Sequence, residues 1–140
     1  MIKVIDIDEI KFKSINKKFI QNKITKKFKL TKEYSYFKKI LLYSIKRPIA
    51  IIDPPYQIDV YQMTYLDIDN TIKVIMDCLE ERRIISNDRE VIKLNIYKLK
   101  KKRGYSSSLK VFVGNIDENI IKKKFDIIKG GGNNDNRITT

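Results

Sequence analysis

The chain has 140 residues, of which 42% are hydrophobic, and it carries a formal net charge of +13. This length and composition predict a single domain that buries on the order of 70% of the surface of the unfolded chain. The absence of histidine and the presence of one cysteine, Cys78, exclude imidazole catalysis, thiolate zinc sites and a disulfide framework.

Neither a membrane span nor a secretory signal is expected. No apolar run approaches ~20 residues, and the N-terminus lacks a basic region followed by an apolar stretch. A single cysteine suits a reducing compartment. We therefore expect a soluble, unexported protein of the cytoplasm.

The first half of the chain predicts a strand, a loop, a helix and a second strand. Residues 2–7 alternate loosely between apolar and polar side chains, as a short strand does. Residues 11–29 are dense in lysine and are expected to form a loop with little structure of its own. Apolar residues recur at helical spacing over 31–46. Residues 56–61 alternate again and predict a half-buried strand.

The second half predicts two helices and a hairpin. Asn70 is expected to cap a helix that ends near residue 83, with one apolar stripe. Further elements are a turn at Ser86-Asn87, a strand over 90–99, a basic hairpin loop over 100–108, a returning strand over 109–113 and a last helix over 117–129 closed by Gly130. The pattern indicates an α+β fold, with one domain over 1–129 and a disordered tail over 130–140.

Charge is unevenly distributed along the chain. Residues 11–47 contain thirteen Lys and Arg against one acid, whereas residues 67–90 contain seven acids against four bases. A lysine-rich surface attracts polyanions and gains affinity as their counterions are released. A cluster of acids within that field would repel the same polyanion unless a cation bridges them.

Three of these acids occupy positions that favour a metal site. Asp67 and Asp69 end an extended stretch, where residues two apart point to the same side, and Lys73 lies one helical turn after Asp69. Asp88 precedes a strand that could pair near the one carrying Asp67. Two carboxylates about 4 Å apart repel by roughly 4 kcal/mol at an effective dielectric of about 20, so a convergent triad needs a divalent ion or raised pKa values. Such ligands suit Mg²⁺ or Mn²⁺ and predict a nuclease site.

A purely structural interpretation of these residues stays open. Asp69 or Asn70 can serve as a helix cap without any chemistry. Lys73 and Asp77 can be an ordinary exposed pair one turn apart on the helix. Cys78 is interpreted as a small buried hydrophobe and not as a nucleophile, because no histidine is present to activate it.

Two other motifs begin at Asp67. An EF-hand loop would need Gly at its sixth position and Glu at its twelfth, where this chain has Ile72 and Cys78, so that hypothesis fails. The letters from Asp67 to Thr71 also match the D-x-D-x-T start of haloacid-dehalogenase-type phosphatases. Those enzymes need a buried apolar strand before the motif and a larger sheet after it, whereas residues 62–65 are a poor apolar strand and too little chain follows for such a sheet. This hypothesis therefore ranks below the nuclease.

A longer pattern around these residues resembles the signature of RusA-type Holliday junction resolvases. Leu66-Asp67-Ile68-Asp69-Asn70 is followed by Lys73, then by Asp77-Cys78-Leu79, and then by Asn87-Asp88 ahead of a strand. The order and the gaps agree without insertion from 66 to 91. Weaker similarity extends outward over most of the chain.

The resemblance implies a RusA-like fold, in which two or three helices pack on a mixed β-sheet. It further implies a homodimer that binds four-way DNA junctions and, with Mg²⁺ or Mn²⁺, nicks two opposed strands symmetrically during recombination and repair. By the same resemblance Asp67, Asp69 and Asp88 bind the metal, and Lys73 is catalytic. No small-molecule cofactor and no membrane partner are implied.

Basic residues that many members carry just before the first aspartate are replaced here by Met63, Thr64, Tyr65 and Leu66. We expect two other basic segments to contact DNA phosphates instead: Lys17, Lys18, Lys23, Lys26 and Lys27 in the first, and Lys100, Lys101, Lys102 and Arg103 in the second. An alternative hypothesis is a nucleic-acid-binding accessory protein that has the same fold but no turnover.

Overall fold

The computed structural model describes residues 1–10, 19–21, 28–30, 32–46, 50–64, 67–100 and 107–131. These residues form strands, α-helices and one 3-10 helix (Asp88–Glu90). In chain order the strands and α-helices are β1 (Ile2–Ile10), β2 (Phe19–Gln21), β3 (Phe28–Leu30), α1 (Lys32–Ser44), β4 (Tyr56–Thr64), α2 (Ile68–Glu81), β5 (Val91–Lys100), β6 (Ser107–Asn115) and α3 (Glu118–Gly131).

One mixed sheet organises the domain. Its strand order is β1-β6-β4-β5, while β2 and β3 pair with each other in a separate two-stranded ribbon. β6 is antiparallel to both of its neighbours, whereas β4 and β5 are parallel. Parallel neighbours require a crossover connection, and α2 provides it. The predicted fold class, a single small α+β domain with a mixed sheet, is confirmed.

The hydrophobic core lies between one face of this sheet and the helices. Side chains alternate along β4, so that Ile58 and Val60 point inward and are fully buried. Their register partners on β6, Val113 and Val111, are fully buried too. The helices contribute apolar residues at helical spacing, which are Phe37 and Leu41 from α1 and Val74, Ile75, Cys78 and Leu79 from α2.

The opposite face of the sheet carries an aromatic cluster. The rings of Tyr61 and Tyr97, which are register partners on β4 and β5, stack with centroids 4.9 Å apart. Phe112 on β6 meets Tyr61 edge to face at 5.8 Å. Tyr61 and Tyr97 are 44% and 52% exposed. These rings therefore stabilise neighbouring strands against each other without closing a second core.

Most of the predicted elements are confirmed. The expected strands at 2–7 and 56–61, the helix at 31–46 and the helix at 117–129 correspond to β1, β4, α1 and α3. The predicted strands at 90–99 and 109–113 correspond to β5 and β6. Their boundaries shift by a few residues, and the last helix continues through Gly130 to Gly131 instead of closing at it.

The predicted hairpin between the last two strands is wrong. β5 and β6 pair with opposite edges of β4 and not with each other, because α2 returns the chain to form β5 parallel to β4. The expected loop over 11–29 contains two short strands, β2 and part of β3, which pair antiparallel. The predicted disordered tail lies outside the described residues except for Gly130 and Gly131.

Among the helices that the structure describes, none is both long enough and apolar enough to cross a bilayer.

Substitution of the central core should be costly. Ile58→Ala removes a fully buried side chain from the central strand, and we expect the free energy of unfolding to fall by about 3 kcal/mol. Urea unfolding with an unchanged slope measures this loss. Ile51→Ala is the matched control, because Ile51 is 94% exposed and its truncation should change stability by no more than ~0.5 kcal/mol. Equal effects of the two substitutions would contradict this description of the core.

Candidate active site at the two ends of α2

Asp67 is the residue from which α2 begins. Its backbone is extended (φ −68, ψ 147), and its carbonyl oxygen accepts hydrogen bonds from the Thr71 amide at 3.1 Å and the Thr71 hydroxyl at 3.0 Å. Asp67, and not the predicted Asn70, is therefore the N-cap. Its carboxylate makes no capping hydrogen bond and is exposed, which leaves both oxygens available to a ligand.

Asp69 and Lys73 share the exposed side of the same helix. Asp69 lies in the first turn, where the helix dipole stabilises a negative charge, and Lys73 follows four residues later. Both side chains are exposed. Among the residues that the structure describes, Lys73 makes no ion pair and no hydrogen bond. The ammonium group can therefore meet an external anion without first breaking an internal contact.

Asp77 has a structural role and is not the partner of Lys73. The buried Tyr34 hydroxyl of α1 donates a hydrogen bond to the Asp77 carboxylate. Burial, followed by this hydrogen bond, raises the pKa of Tyr34. One turn further on, Lys38 forms a 3.4 Å ion pair with Glu81. These two contacts fix α1 against the C-terminal half of α2.

Asp88 lies beside the other end of α2. It begins the 3-10 helix, which Asn87 caps by accepting a hydrogen bond from the Arg89 amide at 2.9 Å. The Asp88 amide itself donates to a carboxylate oxygen of Glu80 at 3.2 Å. The Asp88 side chain is exposed, so its carboxylate faces solvent at the end of the helix opposite to Asp67.

The three aspartates therefore do not converge within one chain. Asp69 and Glu80 are separated along α2 by about 16 Å, at roughly 1.5 Å per residue. In agreement with that spacing, the described part of the chain contains no group of three or more His, Cys, Asp or Glu side chains that could hold a metal ion. One chain brings together Asp67, Asp69 and Lys73, and it places Asp88 elsewhere.

Sequence reasoning missed the residues that position Asp88. Besides Glu80, the Tyr56 hydroxyl at the start of β4 accepts a hydrogen bond from the Ser86 amide at 3.1 Å and lies 3.3 Å from the Ser86 hydroxyl. These contacts hold the turn before Asp88 against the sheet. No local pattern could have indicated them, because each joins residues that are distant in sequence or on different elements.

Of the predicted DNA-binding residues the structure describes one. Lys100 ends β5 and is exposed. The remaining members, which are Lys17, Lys18, Lys23, Lys26, Lys27, Lys101, Lys102 and Arg103, lie outside the described residues.

A comparison with protein families shows to which family the chain belongs. The family described as Endodeoxyribonuclease RusA matches residues 11–111, which is more than two thirds of the sequence and includes all four candidate catalytic residues. The chain therefore belongs to the RusA endodeoxyribonuclease family, a class of Holliday junction resolvases. No curated protein matches the chain.

The structure supports the interpretation of Cys78 as a core residue. Its side chain is fully buried on α2, and its sulfur lies 3.7 Å from the Lys38 carbonyl oxygen. Burial raises the pKa of this thiol to about 12. The reactive thiolate is therefore scarce at neutral pH.

Cys78 should accordingly resist thiol reagents in the folded protein. At pH 8 a pKa of about 12 leaves roughly one thiol in 10⁴ ionised, against about one in four for an ordinary cysteine. We expect a thiol-specific chromophoric reagent to label the native protein at least ~100-fold more slowly than the urea-unfolded protein. Rapid labelling of the folded chain at pH 8 would show that Cys78 is accessible and ionised.

Proposed function

We propose that this protein is a divalent-metal-dependent, structure-selective endodeoxyribonuclease that resolves four-way DNA junctions by paired symmetric nicks, in DNA recombination and repair. The observation that carries the proposal is the family match across residues 11–111. It is supported by Asp67, Asp69 and Lys73, which are all exposed near the beginning of one helix.

The chemistry of the donor set fits a hard divalent cation. Asp67 and Asp69 offer exposed carboxylate oxygens two residues apart, and Asp88 offers a third from another segment. Mg²⁺ and Mn²⁺ prefer oxygen ligands and retain open positions for phosphate oxygens and water. When bound, such an ion polarises the scissile phosphate and lowers the pKa of a coordinated water.

A dimer reconciles the separated aspartates with one shared site. Resolution of a junction needs two nicks related by the near two-fold symmetry of the DNA, and one set of acids per chain supplies only one. In a two-fold dimer, Asp88 of one chain can approach Asp67 and Asp69 of its partner. Each of the two sites would then contain residues of both chains.

Lys73 is proposed to act on the phosphate itself. It lies four residues after Asp69 on the exposed side of α2, which places a cation beside the proposed metal ligands. The negative charge on the phosphodiester oxygens increases in the transition state, and a positioned ammonium group stabilises that state more than the ground state. Lys73 is thus assigned to charge stabilisation and not to substrate affinity.

The basic segments are proposed to hold the DNA backbone. Lys17, Lys18, Lys23, Lys26 and Lys27, together with Lys100 through Arg103, would contact phosphates in a manner independent of sequence. Lys100 ends the strand whose beginning is next to Asp88. In a dimer with two-fold symmetry this basic end can accompany DNA that reaches the acids of the partner chain.

A non-catalytic DNA-binding protein with the same fold is the second candidate. Such a protein would explain the net charge of +13 equally well, because DNA binding alone requires basic residues that contact phosphates. A labelled four-way junction, incubated with and without Mg²⁺, separates the two candidates. Symmetric cleavage that requires the ion supports the nuclease, whereas tight binding without any cleavage under Mg²⁺ or Mn²⁺ supports the accessory protein.

Loss of an acid should abolish cleavage but preserve binding. In Asp69→Asn and in Asp88→Asn we expect the single-turnover rate to fall by at least ~1,000-fold, with junction affinity equal to or above that of the wild type, because a negative charge near the phosphates is removed. Asp126→Asn is a control on α3, where the side chain is exposed and far along the chain from the site. Wild-type rates in Asp88→Asn would exclude it as a ligand.

Mixing the two inactive variants tests whether the sites are shared. If each site combines Asp69 of one chain with Asp88 of the other, an Asp69→Asn/Asp88→Asn heterodimer has one intact site and one doubly altered site. We expect such mixtures to regain nicking of a single strand. If each chain forms its own site, every site in the mixture stays inactive and no nicking returns.

Removal of the Lys73 charge should affect turnover selectively. For Lys73→Ala we expect a loss of about 100-fold in the single-turnover rate, typical for one transition-state contact, with junction affinity changed by less than about threefold. Lys123→Ala is the matched control, since Lys123 is exposed on α3 and lies far along the chain from the start of α2. Equal rates for Lys73→Ala and the wild type would make this residue an ordinary surface lysine.

A further inference from the structure

An open cavity lies at the C-terminal end of α2, close to Asp88. Its volume is about 740 Å³, which is within the range of about 300–1,000 Å³ that is usual for small-ligand sites. Residues 50–52, which precede β4, line one side of it, and residues 82–86, which follow α2, line another. Glu80 also lines the cavity, and its carboxylate accepts a hydrogen bond from the Asp88 amide at 3.2 Å. The cavity therefore adjoins a candidate metal ligand.

Arg83, on the wall of this cavity, has a backbone conformation that favours glycine. α2 ends in a Schellman motif, in which the Ile84 amide donates to the Leu79 carbonyl at 2.8 Å and the Arg83 amide donates to the Glu80 carbonyl at 3.0 Å. The motif needs a left-handed residue directly after the C-cap, Arg82, and Arg83 has a φ of 58. A residue with a β-carbon is strained at this φ, whereas glycine is not. Residues held in such conformations cluster at functional sites.

The charges that line the cavity suit an anion. Arg83 is exposed, and among the described residues its guanidinium group makes no ion pair and no hydrogen bond. Arg82 lines the same cavity and is half-buried, so that two guanidinium groups are present with one carboxylate, that of Glu80. The planar guanidinium group donates two parallel hydrogen bonds to phosphate oxygens. A net charge of one cation matches the single negative charge of a phosphodiester.

The same cavity also has an apolar side. Ile51 is 94% exposed and Ile52 is half-buried, and both line the cavity together with the buried Ile84 and Ile85. A ligand that fits this lining has an anionic group for the arginines and an apolar body for the isoleucines. A nucleotide has both, because its phosphate is charged and the faces of its base are apolar.

We propose that this cavity binds an unpaired nucleotide of the junction, with its phosphate on Arg83 and its base against Ile51. The inference rests on the proposed function for the identity of the DNA. A base within a duplex stays stacked between its neighbours and cannot enter a cavity, whereas an unpaired base enters at little cost. Base pairs at the branch point, where the strands exchange partners, are the easiest to open. The cavity thus provides a preference for branched over linear DNA beside Asp88.

Binding measured without divalent ions tests the cavity separately from cleavage. Fluorescence anisotropy compares a labelled four-way junction, a single strand and a fully paired duplex. For Arg83→Gly we expect the affinity for the junction and for the single strand to fall about tenfold, as is typical for the loss of one charge-assisted contact. The affinity for the duplex should change by less than about threefold. The melting temperature should equal or exceed that of the wild type, because glycine relieves the strain at this φ.

Two further variants test the two parts of the ligand. Ile51→Ala removes the most exposed apolar side chain of the cavity, and we expect the affinity for the junction and the single strand to fall about fivefold, with the duplex unchanged. Lys123→Ala is the matched control for loss of a charge, because Lys123 is exposed on α3. Any effect of this control should be equal for all three DNAs.

The same measurements contain the results that would overturn the proposal. Equal losses for junction and duplex in Arg83→Gly would make Arg83 an ordinary contact of the DNA backbone. Unchanged affinities in Ile51→Ala would show that no base enters the cavity. If both variants weaken binding of a free deoxynucleoside monophosphate but not of the junction, the cavity serves a soluble nucleotide and the assignment to DNA is wrong. A protein that shows the expected affinities but cuts no junction under Mg²⁺ leaves the cavity standing and removes the proposed function.

Discussion

The parallel pairing of β4 with β5 determines where every candidate catalytic residue lies. Two adjacent parallel strands need a crossover connection that returns the chain to the other end of the sheet. In this protein α2 is that connection. Asp67 and Asp69 lie where the chain leaves β4, and Asp88 lies where it enters β5. The crossover that completes the core therefore places the aspartates at opposite ends of one helix.

Much of this fold follows from local patterns in the sequence. Alternation predicted β1 and β4, and helical spacing predicted α1, α2 and α3, because each element has one apolar side to bury. The predicted pairing of the last two strands was wrong. The sequence pattern of residues 90–113 is compatible with a hairpin and equally with two strands on either side of β4. The order of the strands in the sheet depends on the path of α2. The hydrophobic periodicity and the turn residues of the sequence carry no information about that path.

The candidate site, like the fold, could be predicted from the sequence only in part. The spacing of Asp67, Asp69 and Lys73 within a few residues was enough to place them together on α2, since a helix and its cap follow local rules. Asp88 is near them in sequence but not in space. Its position depends on Glu80, Tyr56 and Ser86, whose contacts appear only after the helix has docked on the sheet.

The separation of the acids also resolves the electrostatic difficulty that the sequence presents. The seven acids of residues 67–90 would repel one another strongly as one cluster, but the fold distributes them: Asp77 accepts a hydrogen bond from Tyr34, Glu81 pairs with Lys38, and Glu80 accepts from the Asp88 amide. A chain folded in this way needs no bound cation to offset convergent carboxylates.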